Sequence, residues 1–187
     1  QPGVSPAWQG RWWLLVVQNR EWFGDQAATA QALLRAQQLT KQHALPRLRF
    51  ELACVEMSAA LKANDLPGAD RLFRELEALR PAVRPGRLPH GLRAQALYLA
   101  YRGELVGALE RIDLLLALCT DMEVPRRDRG AYEVLRADCL LGLGRQAQAL
   151  AVLYAQRPDQ QGPQGELLEA RIQGHLDIPL NDTGLWQ

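Results

Sequence analysis

Apolar residues recur along this chain at three- and four-residue spacing, in long blocks separated by short polar or proline-containing breaks. That spacing is the helical one, and no stretch shows the strict alternation of a strand. A first helix is predicted from Trp8 to about Trp22, closed by Phe23-Gly24. Asp25 is placed to cap a second, which carries Ala28, Ala32, Leu33, Ala36 and Leu39 on one stripe and runs to about His43. Ala44-Leu45-Pro46 breaks it, and Pro46 suits the first turn of a third helix. The third turns Leu48, Leu52, Val55, Ala59 and Leu61 inward and ends at Asn64. Asp65 then caps a fourth, with Pro67 in its first turn and Ala69, Leu72, Phe73, Leu76 and Leu79 as its stripe.

The second half repeats the theme. Pro81 to Gly91 holds three prolines and two glycines and reads as a loop. Leu92–Tyr101 and Glu104 to about Met122 form a third pair of helices. Val124 to Gly130 is a connector, or already the first turn of the next helix. Ala131–Leu143 and Arg145–Ala155 form a fourth pair. Beyond the proline- and glycine-containing stretch 157–165, a last helix is expected over about 165–176.

The turns inside these pairs fall at Gly24, Asn64, Gly103 and Gly144, separated by 40, 39 and 41 residues. Self-similarity at this period is the signature of a helix-turn-helix solenoid. The expected fold is therefore all-α: a right-handed superhelix of about four tetratricopeptide-like repeats (8–43, 46–80, 90–122 and 126–156) plus the terminal helix, forming one domain over 1–187. Ala69, Phe73 and Pro81 fall at the small, large and proline positions of the tetratricopeptide consensus. The longer period and the absent Trp-Leu-Gly-Tyr signature mark a divergent relative.

Composition fits a folded helical domain: 48% of residues are hydrophobic, 23% are charged and the net charge is +1. That balance argues against a disordered tail or a general polyanion binder. Lys41 and Lys62 are the only lysines, so the basic side is arginine. Cys54, Cys119 and Cys139 are odd in number and far apart, which fits buried thiols in a cytoplasmic protein better than a disulfide framework. No apolar run approaches the ~18 residues of a membrane span. The start at Gln1-Pro2-Gly3 suggests a fragment of a longer chain.

The repeat from Gly24, followed by Gln42-His43-Ala44-Leu45-Pro46-Arg47-Leu48, a helix and Asn64-Asp65, resembles the superhelical repeats of the MalT-like LuxR-type bacterial transcription regulators. In that family an ATPase module precedes such repeats and a DNA-binding helix-turn-helix follows them. The resemblance implies a sensor domain that binds an effector or a regulatory protein and controls self-association. The sequence holds neither a P-loop nor a DNA-binding segment, so DNA binding by these residues is not expected.

No catalytic motif emerges. Gly142-Leu143-Gly144-Arg145-Gln146-Ala147 fits a relaxed dinucleotide fingerprint, but a helix precedes it where a strand is required. His43, His90 and His175 are too scattered for a metal site. Glu75 and Glu77, and Glu166 and Glu169 beside Arg171, read as solvated helix faces. Arg126-Arg127-Asp128-Arg129 reads as a solvated connector. No cofactor, metal or membrane partner is expected. Asn181-Asp182-Thr183 is only formally a glycosylation acceptor.

Trp8, Trp12, Trp13 and Trp22 crowd the first helix. Core packing against the next helix pair is the simplest role. Contact with an upstream domain or partner chain, and a platform for a flat ligand, are the alternatives. If the repeats coil as tetratricopeptide arrays do, the first helix of each pair lines a concave groove. Counting from the turns places Arg11, Gln18, Glu21, Trp22, Ser58, Lys62, Arg93, Leu97, Tyr101 and Asp138 there, as contacts for a small-molecule effector or a protein or peptide partner. The expected function is a non-catalytic sensor or interaction module of a bacterial transcription regulator. A free-standing scaffold or secretion chaperone is the alternative, and a small enzyme with an unrecognised site the second.

Overall fold

The computed structural model describes residues 3–22, 25–124 and 126–156. Among them the chain is all-helical, with eight α-helices. It divides into two compact units, 1–87 and 88–187. The first holds α1 (Pro6–Trp22), α2 (Gln26–Gln42), α3 (Pro46–Lys62) and α4 (Leu66–Leu79). The second holds α5 (Leu88–Tyr101), α6 (Leu105–Asp121), α7 (Arg126–Gly142) and α8 (Gln146–Gln156). In each unit the dominant packing is between sequential partners: α1 with α2 and α3 with α4, then α5 with α6 and α7 with α8.

The local signals that start the helices act as expected. The Asp25 carboxylate accepts the Ala28 N–H at 3.1 Å, and the Asp65 carboxylate accepts the Gly68 N–H at 3.0 Å. Both satisfy donors that a helix start leaves open. Pro46 opens α3. The turns that end helices share one geometry. Asn64, Gly103 and Gly144 all adopt the left-handed conformation, with φ of 55°, 78° and 73°. After each, the next residue's N–H reaches back five residues: Asp65 to Ala60 O, Glu104 to Leu99 O and Arg145 to Leu140 O, at 2.8–2.9 Å. This is the Schellman closure. The repeat seen in the sequence at these three positions is thus a repeat of turn geometry.

A fourth such turn was unexpected. Glu123 has φ 54°, and Val124 N–H bonds to Cys119 O at 2.9 Å. The same closure therefore links α6 to α7 as well as α3 to α4, α5 to α6 and α7 to α8; the predicted turn at Gly24 lies outside the described residues. Nothing in a glutamate announces a left-handed position. By contrast, α2 gives way to α3 through extended His43 and Pro46, with no such turn.

Two boundaries differ from expectation. The loop predicted over Pro81–Gly91 is much shorter, because α5 starts at Leu88 and takes Pro89 and Gly91 into its first turn. Proline lacks the N–H that an early helical position leaves unbonded anyway, so it does not interrupt the helix. What precedes it is two 3-10 turns, Arg80–Ala82 and Pro85–Arg87. Likewise α7 begins at Arg126, so most of the predicted connector is its first turn. The predicted terminal helix, 165–176, lies outside the described residues.

The cores follow the stripes with local shifts. In the first unit Leu14, Ala36, Leu48 and Leu52 form one buried cluster, against which Trp13, Leu33, Leu45 and Val55 pack. Gly10 makes this possible, since a Cβ there would fall 2.0 Å from Leu48 Cδ2. On α3, Phe50, Ala53 and Met57 are also buried, while Ala59 is exposed. In the second unit Leu92, Leu115 and Cys119 form a cluster with Leu114, Leu116, Leu118, Val124 and Tyr132 around it.

Candidate functional site

The surface that stands out lies on the α1–α2 hairpin. α1 is apolar on opposite sides. Gly10, Leu14 and Val17 are buried. Directly across the helix, Trp8, Trp12 and Leu15 are 66%, 62% and 58% exposed. At 100° per residue these three share one narrow stripe, which Val4, also exposed, precedes by one turn. Core packing therefore accounts for Trp13 but not for Trp8 or Trp12.

Beside that stripe, α1 and α2 enclose an open cleft of about 420 Å³ lined by Gln9, Trp13, Gln31, Arg35, Gln38, Leu39 and Gln42. Gln31, Arg35, Gln38 and Gln42 recur at i, i+4, i+7 and i+11, so α2 presents them as one row. Gln9 and Trp13 face them from α1 at i, i+4. The Gln9 amide donates to Val4 O at 2.9 Å, and Arg35 Nη1 donates to Gln38 Oε1 at 3.4 Å. No carboxylate lines the cleft. Carboxamides both donate and accept, and a guanidinium without an acid beside it is suited to an anion. Sequence reasoning missed this row. Its signal was the spacing of four polar residues on one face of α2.

The residues predicted to line a groove do not share one environment. Arg11 is exposed and reaches Glu51 at 3.9 Å. The side chains of Gln18, Glu21 and Trp22 lie outside the description. Ser58 is half-buried and donates to Cys54 O at 3.3 Å within its own helix. Lys62 is exposed. In the second unit Leu97 is 5% and Asp138 1% exposed, so both belong to the interior rather than to a surface. Arg93 and Tyr101 are half-buried. Arg93 on α5 lies close enough to Tyr132 on α7 to favour its phenolate, although burial, then Cys119, hold that phenol above its ordinary value.

Charged groups elsewhere serve structure. Arg49 on α3 binds both carboxylate oxygens of Glu75 on α4 and donates to Glu56 at 2.6 Å, while Gln37 on α2 donates to the other Glu56 oxygen at 2.7 Å. Burial works against the Arg49 cation, but the bonds to Glu75 and Glu56 outweigh it and raise its pKa. Glu75 is therefore clamped, not solvated as its sequence context suggested. Among the described residues no group of His, Cys, Asp and Glu could hold a metal ion. No described helix is long and apolar enough to cross a membrane.

No protein-family model, curated protein or solved structure matches this chain. The α1–α2 surface must therefore be read from its own chemistry.

Proposed function

We propose that this chain is a non-catalytic interaction module, with the outer face of α1 and the adjoining cleft as its working surface. The observation that carries the reading is the exposure of Trp8, Trp12 and Leu15 on one stripe. A helix with apolar stripes on two opposite sides buries one and leaves the other without a partner, and clustered exposed apolar side chains mark sites of association. Tryptophan is also the side chain most enriched among residues that anchor interfaces. The helix pairs and their repeated left-handed turns support a tetratricopeptide-like array. The resemblance of residues 24–73 to the regulator repeats supports placing that array in a bacterial transcription regulator, as its sensing or protein-binding part.

The double substitution Trp8→Gln/Trp12→Gln separates docking from folding. A docking face predicts a helical, cooperatively unfolding protein whose stability stays within about 0.5 kcal/mol of the parent. Loss of several kcal/mol would mean that the tryptophans hold the fold together, and the reading falls. Sequence-specific DNA binding by residues 1–187 alone would sink the regulatory assignment of these helices.

A further inference from the structure

We propose that the partner of this face is an acidic amphipathic helix of another protein. The inference rests on the docking reading above and adds the partner's chemistry. Three observations point to it together.

The first is shape. On the α1 wheel, Leu15, Trp8 and Trp12 lie within about 60° of one another, and Gln9 and Trp13 follow in the next 100°. The exposed ridge thus runs directly into the wall of the cleft. A single rod laid along α1 covers the ridge and reaches the cleft with an adjacent face. An apolar helical face, with anchors at i, i+3, i+4 and i+7, has this geometry.

The second is charge. From Pro6 to Gln42 the basic residues are Arg11, Arg20, Arg35 and Lys41, and the acidic ones are Glu21 and Asp25. Asp25 is engaged in capping α2, and Arg11 reaches Glu51 of α3 at 3.9 Å. No acid lines the cleft, and Arg35 makes no ion pair among the described residues. A guanidinium in this setting favours a carboxylate, which it can bind through two parallel hydrogen bonds.

The third is the row of amides. Gln31, Gln38 and Gln42 flank Arg35 on α2, and Gln9 faces them. Each offers both a donor and an acceptor to polar groups entering beside the carboxylate. A basic partner finds no counter-charge here, and a wholly apolar one would bury these amides without hydrogen bonds.

A seventeen-residue peptide, the length of α1, tests this. It carries leucines at i, i+4, i+7 and i+11 and glutamates on the flanking positions. Two counterparts have glutamine or lysine in place of every glutamate. Tryptophan fluorescence of the intact chain reports binding. The expected result is saturable binding of the acidic peptide, at least tenfold weaker for the glutamine peptide and absent for the lysine peptide. Arg35→Gln, an exposed position, should weaken the acidic peptide about tenfold without changing the unfolding midpoint. Trp8→Gln/Trp12→Gln should abolish binding. Equal binding of all three peptides, lost in the tryptophan variant but unaffected by Arg35→Gln, would overturn the acidic chemistry while leaving the docking face intact. Failure of all three would overturn both. A dimer that forms with concentration and disappears in the tryptophan variant would assign the face to a second copy of this chain and overturn the proposal.

Discussion

The two units are built from the same hairpins but held by different means. In the first, charge reaches across helices: Arg49 ties α3 to α4 and, through Glu56 and Gln37, to α2. One carboxylate oxygen of Glu51 takes both Arg11 and Arg87, at 3.9 and 3.5 Å. In the second, one charged bond also crosses helices, Arg136 on α7 to Asp113 on α6 at 2.8 Å, but it lies at the surface; among the described residues the polar groups that enter the interior are Gln95 and Asp138, 3% and 1% exposed and engaged by other groups. The exposed stripe of Trp8, Trp12 and Leu15 lies in the first unit. A unit whose helices are fixed by charged clamps around a small apolar cluster can leave one side of α1 uncovered, because its stability does not depend on burying that side.

The cysteines give the comparison its largest expected effect. Burial, with Glu51 adding to it, pushes the Cys54 thiol from 9.0 to about 12; burial, with Asp138 adding to it, does the same for Cys139. A rise of that size lowers the thiolate fraction near pH 8 by roughly a thousandfold. Both thiols should therefore react far more slowly with a thiol reagent in the native chain than in denaturant. The sign for stability follows. The unfolded thiol ionises first, so the contribution is complete below pH 9 and is lost as pH climbs towards 12. Rapid native labelling of Cys139 at pH 8 would show that its side of the second unit opens readily.

Next in size are the apolar centres. Leu52 in the first unit and Leu115 in the second are both fully buried. Truncating either to alanine should cost about 3 kcal/mol in denaturant unfolding. The clamp then distinguishes the units. Arg49→Met leaves Glu56 and Glu75 half-buried and facing one another without a cation, and should cost about 2 kcal/mol. Adding Glu56→Gln and Glu75→Gln to that variant should recover much of the loss. If Arg49→Met is neutral, the first unit is held by its apolar cluster alone and the contrast disappears.

The sequence disclosed the eight described helices and three of the turns, because periodicity, Asp caps and glycine or asparagine at left-handed positions are local signals. It did not disclose which apolar stripe of α1 would be buried. Trp8 and Trp13 have the same side chain, and only the approach of α2 and α3 separates an exposed ridge from a packed wall. Leu97 and Asp138 were misplaced for a related reason. A groove read by counting from turns assumes that every first helix shows the same face, whereas α5 is buried on most of its circumference. Glu75 looked solvated because its partner, Arg49, is 26 residues away.

The smallest effect tests the turn that carried no signal. Glu123 sits at φ 54°, exposed, where Asn64, Gly103 and Gly144 hold the equivalent positions. A left-handed backbone costs an ordinary L-residue about 1 kcal/mol, while glycine adopts it freely. Glu123→Gly should therefore stabilise the chain, by about 0.5 kcal/mol at most once the greater freedom of glycine in the unfolded chain is set against the relief. Gly103→Ala should do the opposite, by about 1 kcal/mol. No atom would obstruct a Cβ at Gly103, so the loss comes from backbone conformation alone. Opposite signs for these two substitutions would establish that the turns after α5 and α6 are conformational equivalents. Destabilisation by Glu123→Gly would instead mean that the glutamate side chain supplies something to the turn that outweighs its backbone.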